Sequence, residues 1–173
     1  MIYIKSDKEI ELMRKPCAIV RDVLNLCQDK IKAGMTTREL DKIAHDYIVA
    51  CGAKPSFLGY GGFPTATCIS IDEVVVHGFP SDRIIEEDMI VSVDVGAYFN
   101  GFHGDAARSL YVGHISPEKK KLIDVTRECF FEGIKGICIG SALGDIGAQV
   151  QAHAEENGFS VVRDMVGHGV GKN

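Results

Sequence analysis

The stretch Met89–Val112, MIVSVDVGAYFNGFHGDAARSLYV, carries two carboxylates, Asp94 and Asp105, on either side of Asn100-Gly101. Asn-Gly between two alternating apolar runs predicts a type I′ hairpin, because both residues tolerate the positive φ such a turn needs. A two-residue turn there sets Asp94 opposite Ala107, two positions from Asp105. Side chains alternate faces with period 2, so the two acids share a face one diagonal apart. Carboxylates drawn together in a mostly apolar hairpin repel, and desolvation raises the cost. A shared proton, a basic partner or metal ions would each relieve them. Arg108, an odd number of positions from Asp105, points the other way. The plainer alternative is one surface aspartate and one hydrogen-bonded loop aspartate.

The elements that must position these acids are marked by local signals. Ser6 and Glu9 form a capping-box pattern opening a helix, with Ile10, Met13, Ile19, Val20, Val23, Leu24, Cys27 and Ile31 at helical spacing as far as Gly34. Pro16 inside that run is expected to kink it or loosen a turn. Thr36 and Glu39 repeat the box, and a second helix runs to Cys51, stopped by Gly52. KPSFLGYGGFP is a glycine- and proline-rich loop with aromatics, a lid or a pocket wall. Strands are expected over 65–71 and 73–76 with a turn at Asp72, then a loop at His77-Gly78-Phe79-Pro80. Ser116-Pro117-Glu118 starts a helix to about Lys135. Another helix spans 141–157, and FSVVRDMV, residues 159–166, reads as a strand before Gly167-His168-Gly169-Val170-Gly171-Lys172.

Composition narrows the classes. A chain of 173 residues, 46% apolar and 25% charged, suits one soluble domain. A net charge of −5 argues against a nucleic-acid binder, which usually carries a basic face. The Lys119-Lys120-Lys121 run is read as a solvated helix face. No apolar run is long enough to span a membrane, and the N-terminus lacks a signal-peptide core. Six scattered cysteines without a CxxC pair read as reduced, buried, small apolar residues of a cytoplasmic protein.

The order helix, helix, strand, His-Gly occurs twice, ending at His77 and again at His168. This is a two-unit duplication, a first repeat of about 1–112 and a partial second of about 116–173, within one catalytic domain. The hairpin that follows the first His-Gly has no counterpart after the second. A strand left without neighbours exposes an edge, so the chain is expected to be part of a longer protein.

At KSDKEIELMR (5–14), CISIDEVVVHGFP (68–80), VDVGAYFNGFHGD (93–105) and GHGVGK (167–172) the sequence resembles methionine aminopeptidase of type I. The resemblance implies the pita-bread fold of the creatinase-like proteins. That is an α/β (α+β) arrangement of two pseudo-symmetric halves, with helices on a curved, mainly antiparallel sheet and the second half incomplete here. It implies removal of the initiator methionine from nascent chains by metal-activated water. It makes Asp94, Asp105 and His168 metal ligands, with Asp105 bridging two divalent ions (Co, Mn, Fe, Zn or Ni). His77 becomes the catalytic histidine beside the scissile amide, and Tyr60, Phe63 and Cys68 line the methionine pocket. Carboxylates and imidazole suit such ions, and two of them polarise a carbonyl and lower the pKa of water. A small apolar pocket with a cysteine suits an unbranched thioether. Phe57 stands where many relatives carry a smaller residue, and Gly61 and Gly96 also differ from some. His103 is assigned to the face opposite Asp105 and a structural role.

The same resemblance puts further ligands beyond Asn173, so residues 1–173 alone are expected to bind metal weakly and leave Met-peptides intact. Expected partners are nascent polypeptide N-termini beginning with Met and the ribosome surface, for a monomer with no nucleic-acid specificity and no membrane contact. The alternatives are a proline-specific peptidase of the same fold, and a non-catalytic binding module that kept the fold and lost the metals.

Overall fold

The computed structural model describes residues 3–164 and 167–172. The helices begin where the caps say they should. Helix α1 (Asp7–Lys30) opens on Ser6, whose backbone N–H donates to Glu9 Oε2 at 3.0 Å while Glu9 N–H donates to Ser6 Oγ at 3.4 Å. Helix α2 (Thr37–Ala50) opens the same way on Thr36 and Glu39, at 2.7 and 3.2 Å. Each box satisfies two N–H groups that a helix start otherwise leaves unpaired. Helix α1 ends at Lys30 rather than Gly34.

Pro16 does not break α1; it lies buried inside a continuous helix. Its ring forfeits one hydrogen bond to the preceding turn. The backbone there instead meets Gly104 of the sheet. A Cβ on Gly104 would lie 2.6 Å from both the Pro16 carbonyl carbon and the Cys17 nitrogen, so only glycine fits.

Four antiparallel strands form the sheet: β1 (Lys54–Pro55), β2 (Thr67–Ile71), β3 (Val91–Phe99) and β4 (Phe102–Leu110). β3 is central, with β1 and β2 sharing one of its edges and β4 on the other. The β3–β4 hairpin turns at Asn100 (φ 49°) and Gly101 (φ 88°), closing Phe99 against Phe102 as the Asn-Gly signal requires. Val91, Val93, Val95 and Ala97 with Ile69 and Ile71 face Ile19, Val20, Val23 and Leu24 of α1 and Leu40, Ala44 and Ile48 of α2. Each fully buried aliphatic side chain here contributes about 1.5–3 kcal/mol of transfer free energy.

Contacts divide the chain into two compact units, Met1–His114 with Gly169–Asn173, and Ile115–His168. The first holds the sheet, α1 and α2. In the second, α3 (Pro117–Lys135) begins with the expected proline, and α4 (Leu143–Glu156) packs against it around Val125, Cys129 and Ala154. Gly133 allows the approach, since a Cβ there would meet Val150 Cγ2 at 2.8 Å.

Two expected strands do not form. Residues 73–76 leave the sheet after the turn at Asp72 (φ 51°), and Val74, Val75 and Val76 are exposed. Their β-branched composition suits a strand, but the free edge of β2 is taken by Gly78: Ile69 N–H donates to Gly78 O at 2.9 Å. Residues 159–164 are irregular, and the last two residues of that expected strand, Met165 and Val166, lie outside the described residues. Extended chain becomes a strand only by pairing, and no described strand pairs with it. The cysteines are free, but Cys17 and Cys138 are exposed rather than buried.

Candidate functional site

The period of β3 and β4 sorts their side chains cleanly. The face away from α1 and α2 carries Ser92, Asp94, Gly96 and Tyr98 from β3, His103, Asp105, Ala107 and Ser109 from β4, and Cys68 and Ser70 from β2. Asp94 pairs with Ala107 on one side and Cys68 on the other, and Asp105 pairs with Gly96. The two acids therefore share a face, one diagonal apart, about 7–8 Å between Cα atoms for such positions.

Burial differs from the expectation of two acids inside an apolar hairpin. Asp94 is half-buried and Asp105 exposed, because α1 and α2 cover only the other side. The pair looks onto an accessible face, where an ion or substrate can reach both carboxylates. Their joint field is felt at Cys68. Its buried thiol is pushed up to about 12, first by desolvation and then by the negative charge of Asp94, Asp105 and Asp41. Cys68 therefore stays a neutral thiol at physiological pH.

His103 is placed differently from the sequence reading. Two positions from Asp105 in a regular strand, it shares that residue's face. Its Nδ1 lies 2.8 Å from Ser56 Oγ and its ring tilts against Tyr98 at 4.7 Å. Counting positions from 103 to 105 was the available signal. Ser56 N–H also donates to Gly96 O at 2.9 Å, so the aromatic loop is tied to β3 and β4 at its start.

The rest of that loop folds over as a wall. Phe57 meets Phe63 edge-on at 6.4 Å, and Phe63 meets Phe79 at 5.1 Å. Tyr60 projects from a short 3-10 turn and is 82% exposed. Phe79 is held near Phe63 because Gly78 lies directly against β2: its N–H donates to Ser70 Oγ at 3.0 Å, and a Cβ would collide with the Ile69 carbonyl oxygen. His77, just before this anchor, is exposed and adopts a left-handed φ of 59°. A non-glycine residue held there is strained, a pattern common at functional positions. The structure thus brings Asp94, Asp105 and Cys68 together on one face, and Phe63 and the His77 segment at the edge of β2. His168 is exposed and belongs to the second unit, while its neighbour Gly169 belongs to the first. Gly171 and Lys172 are tied down in the first unit: His103 N–H donates to Gly171 O at 2.8 Å and Lys172 Nζ lies 2.9 Å from Glu9 Oε1.

The carboxylate pair is a fit, in donor chemistry, for a hard divalent cation. Among the described residues, no three His, Cys, Asp or Glu side chains stand together as an ion-binding group. No described helix is long and apolar enough to cross a membrane.

Comparison with known proteins agrees with this chemistry. Residues 11–173 match metallopeptidase family M24. Methionine aminopeptidase of Clostridium perfringens is 49% identical over 172 residues, 99% of this chain and 69% of that protein. The solved methionine aminopeptidase of Rickettsia prowazekii superposes with a TM-score of 0.97 at 38% identity, over 100% of this chain and 70% of that one. That of Thermotoga maritima gives 0.96 at 42% identity, over 99% and 70%. These structures share the α+β pita-bread arrangement, helices on a curved antiparallel sheet, that α1, α2 and β1–β4 build here. With both acids on one open face and the match running almost end to end, the chain belongs to metallopeptidase family M24 and, within it, to the methionine aminopeptidases.

Proposed function

We infer that the protein is a metal-dependent aminopeptidase that removes the initiator methionine from nascent polypeptides. The observation that carries this reading is the Asp94–Asp105 diagonal on the uncovered face of β3 and β4. Asp94, Asp105 and His168 would hold its divalent ions, two in number and of the Mn, Fe, Co, Ni or Zn type. The ions supply Lewis acidity toward the scissile carbonyl and lower the pKa of water. Asp94 and Asp105 place two negative charges where that acidity is needed and offset part of the ions' positive charge. His77, strained and exposed at the edge of β2, contacts the substrate beside the scissile amide. Cys68 contributes a small neutral thiol beside the carboxylates, Phe63 an aromatic surface suited to a thioether, and Tyr60 a further ring lining the methionine pocket. Residues 1–173 belong to a single catalytic domain of two repeats, about 1–112 and a partial 116–173, in a cytoplasmic monomer that meets its substrates as they leave the ribosome.

The test is release of methionine from Met-Ala-Ser by the full-length protein with added Mn²⁺. Turnover that stops with EDTA and returns with Mn²⁺ is expected. No release with Mn, Fe, Co, Ni or Zn would overturn the assignment.

A further inference from the structure

Gly96 stands at the centre of the open face, two residues from Asp94 on its own strand and directly across from Asp105. A side chain there is excluded by the aromatic loop. A Cβ on Gly96 would lie 2.7 Å from Phe57 Cε1, 3.1 Å from Phe57 Cζ and 2.7 Å from Ser56 Cβ. The Phe57 ring thus rests on the bare backbone of Gly96, the cross-strand partner of Asp105. Ser56 holds it there from two sides, through its N–H to Gly96 O at 2.9 Å and its Oγ to His103 Nδ1 at 2.8 Å. From that seat the ring meets Phe63 edge-on, so seat, ring and pocket wall are one continuous surface.

We propose that Gly96 is a specificity-determining position that acts through Phe57. The missing side chain lets the ring sink against the sheet. The ring then sets the depth available to the apolar side chain bound next to Asp94 and Asp105, admitting a slim unbranched chain and rejecting a bulky one. This rests on the aminopeptidase reading above. Gly96 touches no substrate; it positions Phe57. An added methyl at 96 lifts residues 56–57 into the space the bound side chain uses. With alanine at 57 the same segment moves but carries no ring into that space. The two substitutions are therefore coupled rather than additive.

The experiment is calorimetric binding of L-methionine and L-phenylalanine to full-length wild type, Phe57→Ala, Gly96→Ala and the double variant. Phe57→Ala is expected to raise the affinity for phenylalanine relative to methionine by about tenfold, the discrimination that a change in an apolar pocket supplies. Gly96→Ala is expected to weaken methionine binding about tenfold in the wild-type background, and by less than about threefold when Phe57 is alanine. A preference ratio is not moved by a general loss of stability, and Phe57→Ala alone decides the case if Gly96→Ala fails to fold. An unchanged ratio in Phe57→Ala, an equal loss from Gly96→Ala in both backgrounds, or no binding of either amino acid by wild type each overturns the proposal. Binding with the expected ratios but no Met-Ala-Ser turnover leaves it standing and removes the peptidase reading instead.

Discussion

Replacing Asp94 or Asp105 by asparagine keeps the shape of the side chain and removes its charge. If these acids hold the ions, Asp94→Asn and Asp105→Asn each lower Mn²⁺ affinity at least tenfold, as loss of an ionic donor does, while the melting temperature stays within a few degrees. Titration calorimetry followed by thermal scans checks both halves; unchanged Mn²⁺ affinity in both variants refutes the ligand role. Thiol labelling is a second test. In the native protein iodoacetamide should modify exposed Cys17 and Cys138 first, and leave Cys27, Cys68 and Cys129 until unfolding. Mass mapping reads this directly. The acids were legible in the sequence because strand parity is arithmetic and Asn-Gly fixes the turn. Their exposure was not, because alternation says which residues share a face but not which face a helix will cover. His103 was misplaced by the same arithmetic, wrongly applied, and the partnership of Phe57 with Gly96 depends on a loop path no local pattern specifies.

Helices α1 and α2 were readable from four residues, Ser6, Glu9, Thr36 and Glu39, because a cap is satisfied within one turn of the chain. Thr36→Ala should cost about 1 kcal/mol in denaturant unfolding, the usual loss for such a cap. Glu9 adds a longer link. Its carboxyl is held down at about 2, first by the hydrogen bond from Lys172 and then by those from Ser6. A carboxylate depressed in the folded state stabilises it above the unfolded value near pH 4.3, and that contribution fades as pH falls toward about 2. Lys172→Met should therefore lower stability at neutral pH, with the gap to wild type closing as pH falls from about 4.3 toward about 2; denaturant unfolding across that range checks it, and an equal loss at pH 7 and pH 2 would refute the link. Residues 73–76 and 159–164 mark the limit of local reading, since a strand is made by its partner, and that partner is elsewhere in the chain or not among the described strands.

The two units carry cores of very different depth. The first packs three strands of its sheet against two helices, from Ile19 and Leu40 to Val93 and Val95. The second rests on Val125, Cys129 and Ala154, and leaves Phe130, Phe131, Ile134, Ile139 and Leu143 exposed. Local opening free energy follows buried apolar contact. Hydrogen exchange read by mass spectrometry should show amides of α4 exchanging well before those of β3; equal protection would contradict that ordering. The sequence repeats its helix-helix order, but no local pattern says how little apolar surface the second unit conceals.

Strand β3 keeps two sets of accounts on one backbone. Its odd-numbered residues from Val91 to Ala97 lock into α1 and α2, and its even-numbered ones lie on the opposite face with Asp94. A saturation library over residues 91–99 should consequently split by parity. Polar replacements at Val91, Val93 and Val95 deplete the protein itself, whereas changes at Ser92, Asp94 and Tyr98 leave cells full of well-folded, altered catalyst. A designer wishing to retune this molecule has Ser92, Asp94 and Tyr98 of one ribbon to work with, but not Gly96.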